Sequence, residues 1–217
     1  MDTTNPFNCR YEEYDAWFDQ NSNIYQSELL AVKALLPEGG RRIEIGVGSG
    51  RFASQLGIGD GVEPAEGIAK LARGRGINVI KGKAEELPLE NESVDVLLFV
   101  TTLCFVSDVR ETFREAYRVL KPGGCAVLAY IPKESPFGAL YETIADRDPF
   151  FRLARFYTKD EVSTALKEVG FSIERSIQTL TGSPETANDR VEKPTAGDHK
   201  GSFIVTKATK RRCDDNS

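Results

Sequence analysis

Residues 41–52 read Arg-Arg-Ile-Glu-Ile-Gly-Val-Gly-Ser-Gly-Arg-Phe, and no other stretch restricts the fold as much. A short β-branched run, Ile43, Glu44 and Ile45, leads into three glycines at alternate positions, Gly46, Gly48 and Gly50, and then into a helical stretch at 51–56. Residues without side chains let a backbone pass close to a ligand, and the first turn of a helix presents N–H groups that lack partners. A strand, a glycine loop and a helix in that order form a nucleotide-binding turn. Dinucleotide folds space their glycines as GxGxxG, whereas here the spacing is GxGxG with an acid two residues ahead of the first glycine.

Beyond the loop the chain alternates between strand and helix. β-favouring runs at 61–63, 77–80, 94–100 and 125–131 are separated by helical patterns at 65–73 and 109–120. In the second helix Val109, Phe113, Ala116, Tyr117 and Leu120 share a face, Ser107 or Asp108 can cap the start, and Pro122-Gly123-Gly124 stops it. The alternation predicts a parallel sheet with helices on both faces, and ligands in such sheets sit beyond the carboxyl ends of the strands, beside the switch in strand order. Residues 133–156 break the pattern: Phe137, Tyr141, Phe150, Phe151 and Phe156 are interspersed with Arg147, Arg152 and Arg155. This is too long for a tight connection and too apolar for a loose one, which predicts a small insertion, at about 132–157, folded over something. Thr158 with Glu161 reads as the capping box of a helix closed by Gly170. Strands are expected at 171–177 and 202–206, and the polar stretch 182–200 between them reads as a mobile loop.

Ahead of the glycine loop, residues 11–36 carry apolar positions at helical spacing, which predicts two helices parted near 21–23 and stopped by Pro37. The first holds Tyr14, Trp17 and Phe18, and suits either ordinary packing or a lid over a ligand site. The 217 residues, 40% of them hydrophobic, can build one full core. A net charge of −5 argues against bulk affinity for nucleic acid, which needs a concentrated positive patch. The basic run at 207–212 is followed at once by Asp214 and Asp215, and reads as a solvated tail. No apolar run approaches the roughly 18 residues of a membrane span, and the first residues do not read as a signal peptide. Four scattered cysteines and one histidine, His199, leave no metal site and no buried His base, and fit a reduced cytoplasmic protein.

Four segments in order resemble the class I S-adenosylmethionine-dependent methyltransferases, in particular the small-molecule enzymes with a one-domain Rossmann-like core. They are Glu44-Ile-Gly-Val-Gly-Ser-Gly50, Gly61-Val-Glu63-Pro64, Gly82-Lys-Ala-Glu85-Glu-Leu-Pro88, and Val94-Asp95 through Asp108 followed by Val119-Leu-Lys-Pro-Gly-Gly124. The resemblance covers residues 41–207. It implies an α/β, three-layer Rossmann-like fold with a mostly parallel seven-stranded sheet whose last strand is antiparallel. The expected organisation is an N-terminal helical lid segment at 1–40, a methyltransferase core at 41–207 that carries the insertion, and a disordered tail at 208–217.

The resemblance also implies S-adenosyl-L-methionine as cofactor, a small-molecule methyl acceptor, and neither nucleic acid nor membrane as partner. Gly46, Gly48 and Gly50 let the backbone approach the methionine and ribose portions, and the helix start favours the methionine carboxylate. Glu44 either supports the loop and the methionine ammonium or is a strand carboxylate satisfied by backbone N–H groups. Glu63, an acceptor-only carboxylate at the end of the second strand, can take both ribose hydroxyls. Pro64 and Ile80 can form an apolar slot for adenine, and Phe52, Ala84, Glu85, Thr101 and Leu103 complete the expected cofactor set.

Two positions depart from the family pattern. Lys83 stands where the family often has an Asp for the adenine amino group, and lysine cannot accept a hydrogen bond. Glu85 or a backbone carbonyl takes the role, or the contact is absent. Cys104-Phe105 stands where a His-His pair is often found. The acceptor is expected over the strand ends, walled by Tyr14, Trp17, Phe18, Phe137, Tyr141 and Phe156, with Tyr11, Tyr14 and Tyr25 equal candidates for orienting its amine or hydroxyl. In-line methyl transfer needs alignment, worth roughly 7 to 11 kcal/mol at best, rather than a metal or a strong base. Two rivals stand beside this reading. One is an S-adenosylmethionine-binding sensor that methylates nothing. The other is an NAD(P)-dependent reductase, against which count the GxGxG spacing and the lack of a Tyr-x-x-x-Lys pair.

Overall fold

A computed structural model describes residues 5–211. Three helices come first, α1 (Asn5–Cys9), α2 (Tyr11–Gln20) and α3 (Ser22–Leu35). The alternating part follows as β1 (Arg42–Ile45), α4 (Arg51–Gln55), β2 (Asp60–Glu63), α5 (Glu66–Gly74), β3 (Asn78–Lys81), β4 (Val94–Val100), α6 (Val109–Val119) and β5 (Leu120–Tyr130). Then come α7 (Pro136–Ile144), α8 (Lys159–Val169), β6 (Phe171–Thr179), β7 (Thr195–Ala196) and β8 (Phe203–Lys210).

The strands form one sheet in the order β3-β2-β1-β4-β5-β8-β6-β7. Pairing is parallel from β3 to β5, β8 is antiparallel to both β5 and β6, and β7 is antiparallel to β6. The Rossmann-like expectation holds, with eight strands rather than seven. The extra one is the two-residue edge strand β7, in the polar stretch expected to be a mobile loop. That stretch is tied down. The Asn188 side-chain oxygen accepts from the Asn23 backbone N–H at 3.1 Å, and the Glu192 backbone N–H donates to the Ser27 hydroxyl at 2.8 Å. A helix start leaves N–H groups without partners, and Asn188 satisfies two of those of α3, on Asn23 and Ile24.

The tail also needs correction. β8 continues to Lys210 because residues 208–210 pair with β5 and β6, so no tail begins at 208. Residues 212–217 lie outside the described residues. β5 begins at Leu120 rather than Cys125, with a register shift that lets Pro122-Gly123-Gly124 bulge out after α6. α8 has both bonds of its capping box, and Gly170 closes it in the left-handed conformation.

Strand alternation puts Val96, Leu98 and Val100 on one face of β4, packed with Val127, Val205 and residues of α2, α3 and α4. Leu97 and Phe99 point to the other face, against Phe113, Ala116 and Leu166 of α6 and α8. Three layers result, and each fully buried Phe or Leu contributes about 1.5–3 kcal/mol relative to exposure. Among the described residues, no helix is long and apolar enough to cross a membrane.

The N-terminal helices are clasped to the glycine-loop side of the core. Asp15 of α2 receives Arg51 at 2.8 Å and Arg75 at 2.7 Å, and Arg51 also bonds Asp19. Burial pushes the Asp15 carboxyl up, but hydrogen bonds from Arg51, Ser49 and Arg75 outweigh it and hold the group well below the usual carboxylate range. In front of α2, the Asn8 side-chain oxygen accepts from the Gly67 N–H at 2.9 Å, and a Cβ on Gly67 would collide with the Asn8 backbone. Asp15→Ala is expected to cost about 1–3 kcal/mol, the worth of hydrogen bonds to a charged group, in urea unfolding. A change below about 0.5 kcal/mol, the size of an ordinary surface effect, would show that the clasp contributes nothing.

Candidate functional site

The strand order reverses between β1 and β4, and the site lies beyond their carboxyl ends. Thr102 ties the two ends together: its hydroxyl lies 2.9 Å from the Ile45 carbonyl and 3.1 Å from that of Val100. This is why residue 46 is glycine. Its φ is +70°, and a Cβ there would sit 2.6 Å from the Thr102 side chain. Next to it Thr101 holds a φ of +49°, a strained conformation costing roughly 1–3 kcal/mol and found where a fold sacrifices stability for a site.

A cavity of about 470 Å³ opens here. Gly46, Gly48, Glu63, Pro64, Ala84, Glu85 and Thr101 line it, as expected from the sequence, and so does Lys83. Glu63 holds the glycine loop in place. One carboxylate oxygen accepts from the Gly48 N–H at 3.0 Å and the other from the Ala65 N–H at 2.9 Å. Each oxygen keeps a further lone pair for a donor in the cavity. Glu63 is 8% exposed, and burial pushes its carboxyl up to about 7 against the pull of those two N–H groups.

Glu44 lies below the loop rather than on the cavity wall. It is 2% exposed, and its Oε2 has no hydrogen-bond partner among the described residues. Burial raises its pKa well above the ordinary value, a backbone hydrogen bond from Ala53 opposes this, and nearby Glu63 adds to it. One backbone N–H thus reaches the carboxyl, and one oxygen is left over. A buried acceptor without a donor fits an ammonium group, and the paired acceptor of Glu63 fits a diol, so the residues present suit S-adenosylmethionine.

Five sequence-predicted cofactor residues do not line this cavity. Gly50 is turned to α5, where a Cβ would meet Ala72 at 3.0 Å. Glu44 is the second. Phe52 and Leu103 face a different cavity, because α4 and the 3₁₀ turn at Leu103–Phe105 aim them across the sheet ends. Ile80 packs against the core on the far face, and Ile68 of α5 lines the cavity with Pro64 instead. Glu85 accepts from both the backbone N–H and the hydroxyl of Ser107, at 2.6 and 2.7 Å, so one of its oxygens is already engaged.

The second cavity, of about 400 Å³, is walled by aromatic rings of α2, the insertion and the Leu103–Phe105 turn. Trp17, Phe18, Tyr141 and Phe156 line it as expected, whereas Phe137 is buried behind Tyr141. The two cavities meet at Tyr14, Thr101 and Phe105, which line both. Phe7 closes the seam from above, with ring centroids 5.2 Å from Tyr14, 5.1 Å from Phe105 and 5.5 Å from Phe150. Of the three tyrosine candidates only Tyr14 reaches either cavity. Tyr25 donates to the Arg51 carbonyl at 2.8 Å, and burial pushes its hydroxyl up to about 12; it braces α4, and Tyr11 lines neither cavity.

Sequence reading placed the backbone at 101–103 beside the cofactor but missed Phe7, the Thr102 hydroxyl and Glu28. Phe7 sits in a five-residue helix, too short to show a period. Glu28 carried a legible signal: it occupies the apolar stripe of α3 formed by Ile24, Ala31, Val32 and Leu35, where an acid is out of place. At the seam, burial holds the Tyr14 hydroxyl far above its ordinary pKa and pushes the Cys104 thiol up to about 12, so both are neutral. His199 lines neither cavity, and no group of three or more His, Cys, Asp or Glu among the described residues could hold a metal ion.

Comparison with known proteins accords with this geometry. A family described as methyltransferase domain matches residues 43–128. The chain is similar to an uncharacterized protein of Methanocaldococcus jannaschii, at 40% identity over 206 residues, 95% of this chain and 99% of that one. It is also similar to a malonyl-acyl carrier protein O-methyltransferase of Geobacter sulfurreducens, at 29% identity over 81% of this chain and 71% of the relative. A crystal structure from Thermotoga maritima, of a SAM-dependent methyltransferase named a possible histamine N-methyltransferase, matches with a TM-score of 0.92 and 42% identity, over 97% of this chain and 100% of that one. The chain therefore belongs to the class I S-adenosylmethionine-dependent methyltransferases, and S-adenosylmethionine is its cofactor.

Proposed function

We propose that the protein transfers a methyl group to a small, largely apolar molecule held in the aromatic cavity. The observation that carries this reading is the seam: two cavities of comparable size, about 470 and 400 Å³, share Tyr14, Thr101 and Phe105. One cavity has the acceptors for an amino-acid nucleoside and the other has rings. The name of the Thermotoga relative is in keeping with an acceptor of this size.

When bound, the sulfonium of S-adenosylmethionine supplies a methyl carbon already activated toward displacement. Glu63 and the close-passing backbone at Gly46 and Gly48 would hold the ribose and methionine portions, with Glu44 beneath the loop on the side of the ammonium. Pro64 and Ile68 would pack on the base, and Glu85 or a nearby carbonyl would meet its amino group. Tyr14, neutral at physiological pH, offers a hydroxyl that both donates and accepts, and so can orient the attacking atom of the acceptor. Phe7, Phe105 and Phe150 exclude water from the seam. The N-terminal helices act as a lid in this reading, held down by Asp15 and opened when α1 and α2 lift from Phe105 and Phe150. Alignment and water exclusion are the protein's main contribution, and no strong base at the seam is needed.

Two outcomes follow for Glu63. Glu63→Gln is expected to keep the fold, because the amide oxygen still accepts from one of the two backbone N–H groups. Affinity for S-adenosylhomocysteine should nevertheless fall roughly ten- to a hundred-fold, which is about 1.5–3 kcal/mol for hydrogen bonds to a charged acceptor. Unchanged affinity on calorimetric titration would show that the ribose is held elsewhere. The second outcome concerns pH. The ionised carboxylate is the form that accepts both hydroxyls, and in the empty site it forms as pH rises through about 7. Wild-type affinity should therefore rise by up to about tenfold per pH unit from pH 5 to 7, and Glu63→Gln should lose the part of that rise that Glu63 contributes. A flat wild-type profile would contradict the assignment. Incubating the protein with labelled cofactor and a panel of small aromatic acceptors tests the activity itself. Binding without transfer to any of them would favour a silent sensor.

A further inference from the structure

We propose that Glu28 selects the acceptor, by pairing with a protonated nitrogen on a small aromatic or apolar molecule in the second cavity; this rests on the reading that the second cavity holds the acceptor. Glu28 is 5% exposed and lines that cavity from α3. No described residue donates a hydrogen bond to its carboxyl or forms an ion pair with it, although its charge bears on Tyr14, Tyr25 and Tyr141. The other two carboxyls on the wall are engaged. Glu13 pairs with Arg10 at 2.7 Å, and one Asp148 oxygen accepts from the Phe150 and Phe151 N–H groups at 2.8 and 3.0 Å.

The rest of the wall points the same way. It has no Lys, Arg or His, and it presents the rings of Trp17, Tyr141, Phe151 and Phe156. Ring faces attract cations, and an anionic acceptor would meet three carboxyls on a wall that itself carries no positive side chain. The remaining titratable groups on the wall do not compete. Burial raises the pKa of Tyr14, Tyr130, Tyr141 and Tyr157 above the ordinary value and takes the Cys104 thiol to about 12, which leaves them neutral. Burial takes Glu28 itself to about 8, so in the empty cavity at pH 7 it mostly holds a proton. A cation placed against it favours the ionised form and releases that proton.

The test uses three probes of one shape, 2-phenylethylammonium, 2-phenylethanol and 3-phenylpropanoate, titrated calorimetrically into the protein saturated with S-adenosylhomocysteine. The wild-type protein should bind the ammonium at least about tenfold more tightly than the alcohol, as expected for a charge-assisted pair, and the carboxylate most weakly. Heats measured at pH 7 in two buffers of different ionisation enthalpy should report release of most of one proton with the ammonium and none with the alcohol. Glu28→Gln should bring the ammonium to the level of the alcohol and abolish the proton release, with S-adenosylhomocysteine affinity unchanged. The proposal is overturned if the wild-type protein does not favour the ammonium, or if the variant keeps the preference. If the variant does not fold, the three wild-type affinities and the proton count decide alone. Failure of the wild-type protein to bind S-adenosylhomocysteine would instead overturn the cofactor reading beneath it.

Discussion

The Glu63 carboxylate is the constraint on which the site depends. Its two oxygens join the N–H of Gly48 in the glycine loop to that of Ala65 at the start of α5, so one side chain sets the distance between the two walls of the first cavity. The loop can take that path because Gly46 clears Thr102, and Thr102 in turn holds the ends of β1 and β4. The switch in strand order, the glycine spacing and the acid at the end of β2 are thus parts of one hydrogen-bonded arrangement. Burying an acid here costs stability. Glu63 has a pKa raised above its unfolded value of about 4.5, so it favours the ligand-free fold at low pH and loses that contribution as pH rises through about 7. A hydrogen-bond donor set against the carboxylate would restore it.

The same logic extends to the other buried acids. Glu44 keeps one oxygen without a partner, and Glu28 lies unpaired among rings. In a fold that satisfies nearly all its buried polar groups, such exceptions cluster where a ligand supplies what is missing. Glu44 and Glu63 adjoin the first cavity, and Glu28 lies on the wall of the second. Between them the seam at Tyr14, Thr101 and Phe105 is neutral and aromatic, which suits a displacement whose transition state needs alignment more than proton transfer.

Much of the core was legible because it is local. Glycine spacing, capping residues and runs of β-branched residues placed most core strands and helices to within a few residues, and Asp108, Thr158 and Gly170 act as the sequence suggested. The place of Glu63 on the wall of the first cavity followed from its position at a strand end. What could not be read was tertiary. Phe52 and Leu103 belong to the correct segments but face the second cavity, because side-chain direction depends on how α4 and the 3₁₀ turn sit over the sheet. Tyr25 resembled a substrate-orienting hydroxyl until Arg51 proved to be its partner, 26 positions away in the chain. The stretch 182–200 looked loose because its anchors, Asn188 and Glu192, are polar residues that dock on α3 more than 160 positions earlier.

The account turns on where the transferred methyl emerges. A crystal structure with S-adenosylhomocysteine measures this most directly. The account predicts the ribose hydroxyls on Glu63, the ammonium toward Glu44, and the sulfur at the seam beside Thr101, facing the aromatic cavity between Tyr14 and Phe105. A ligand whose sulfur points away from that cavity, or whose adenosyl group occupies it, would contradict the account.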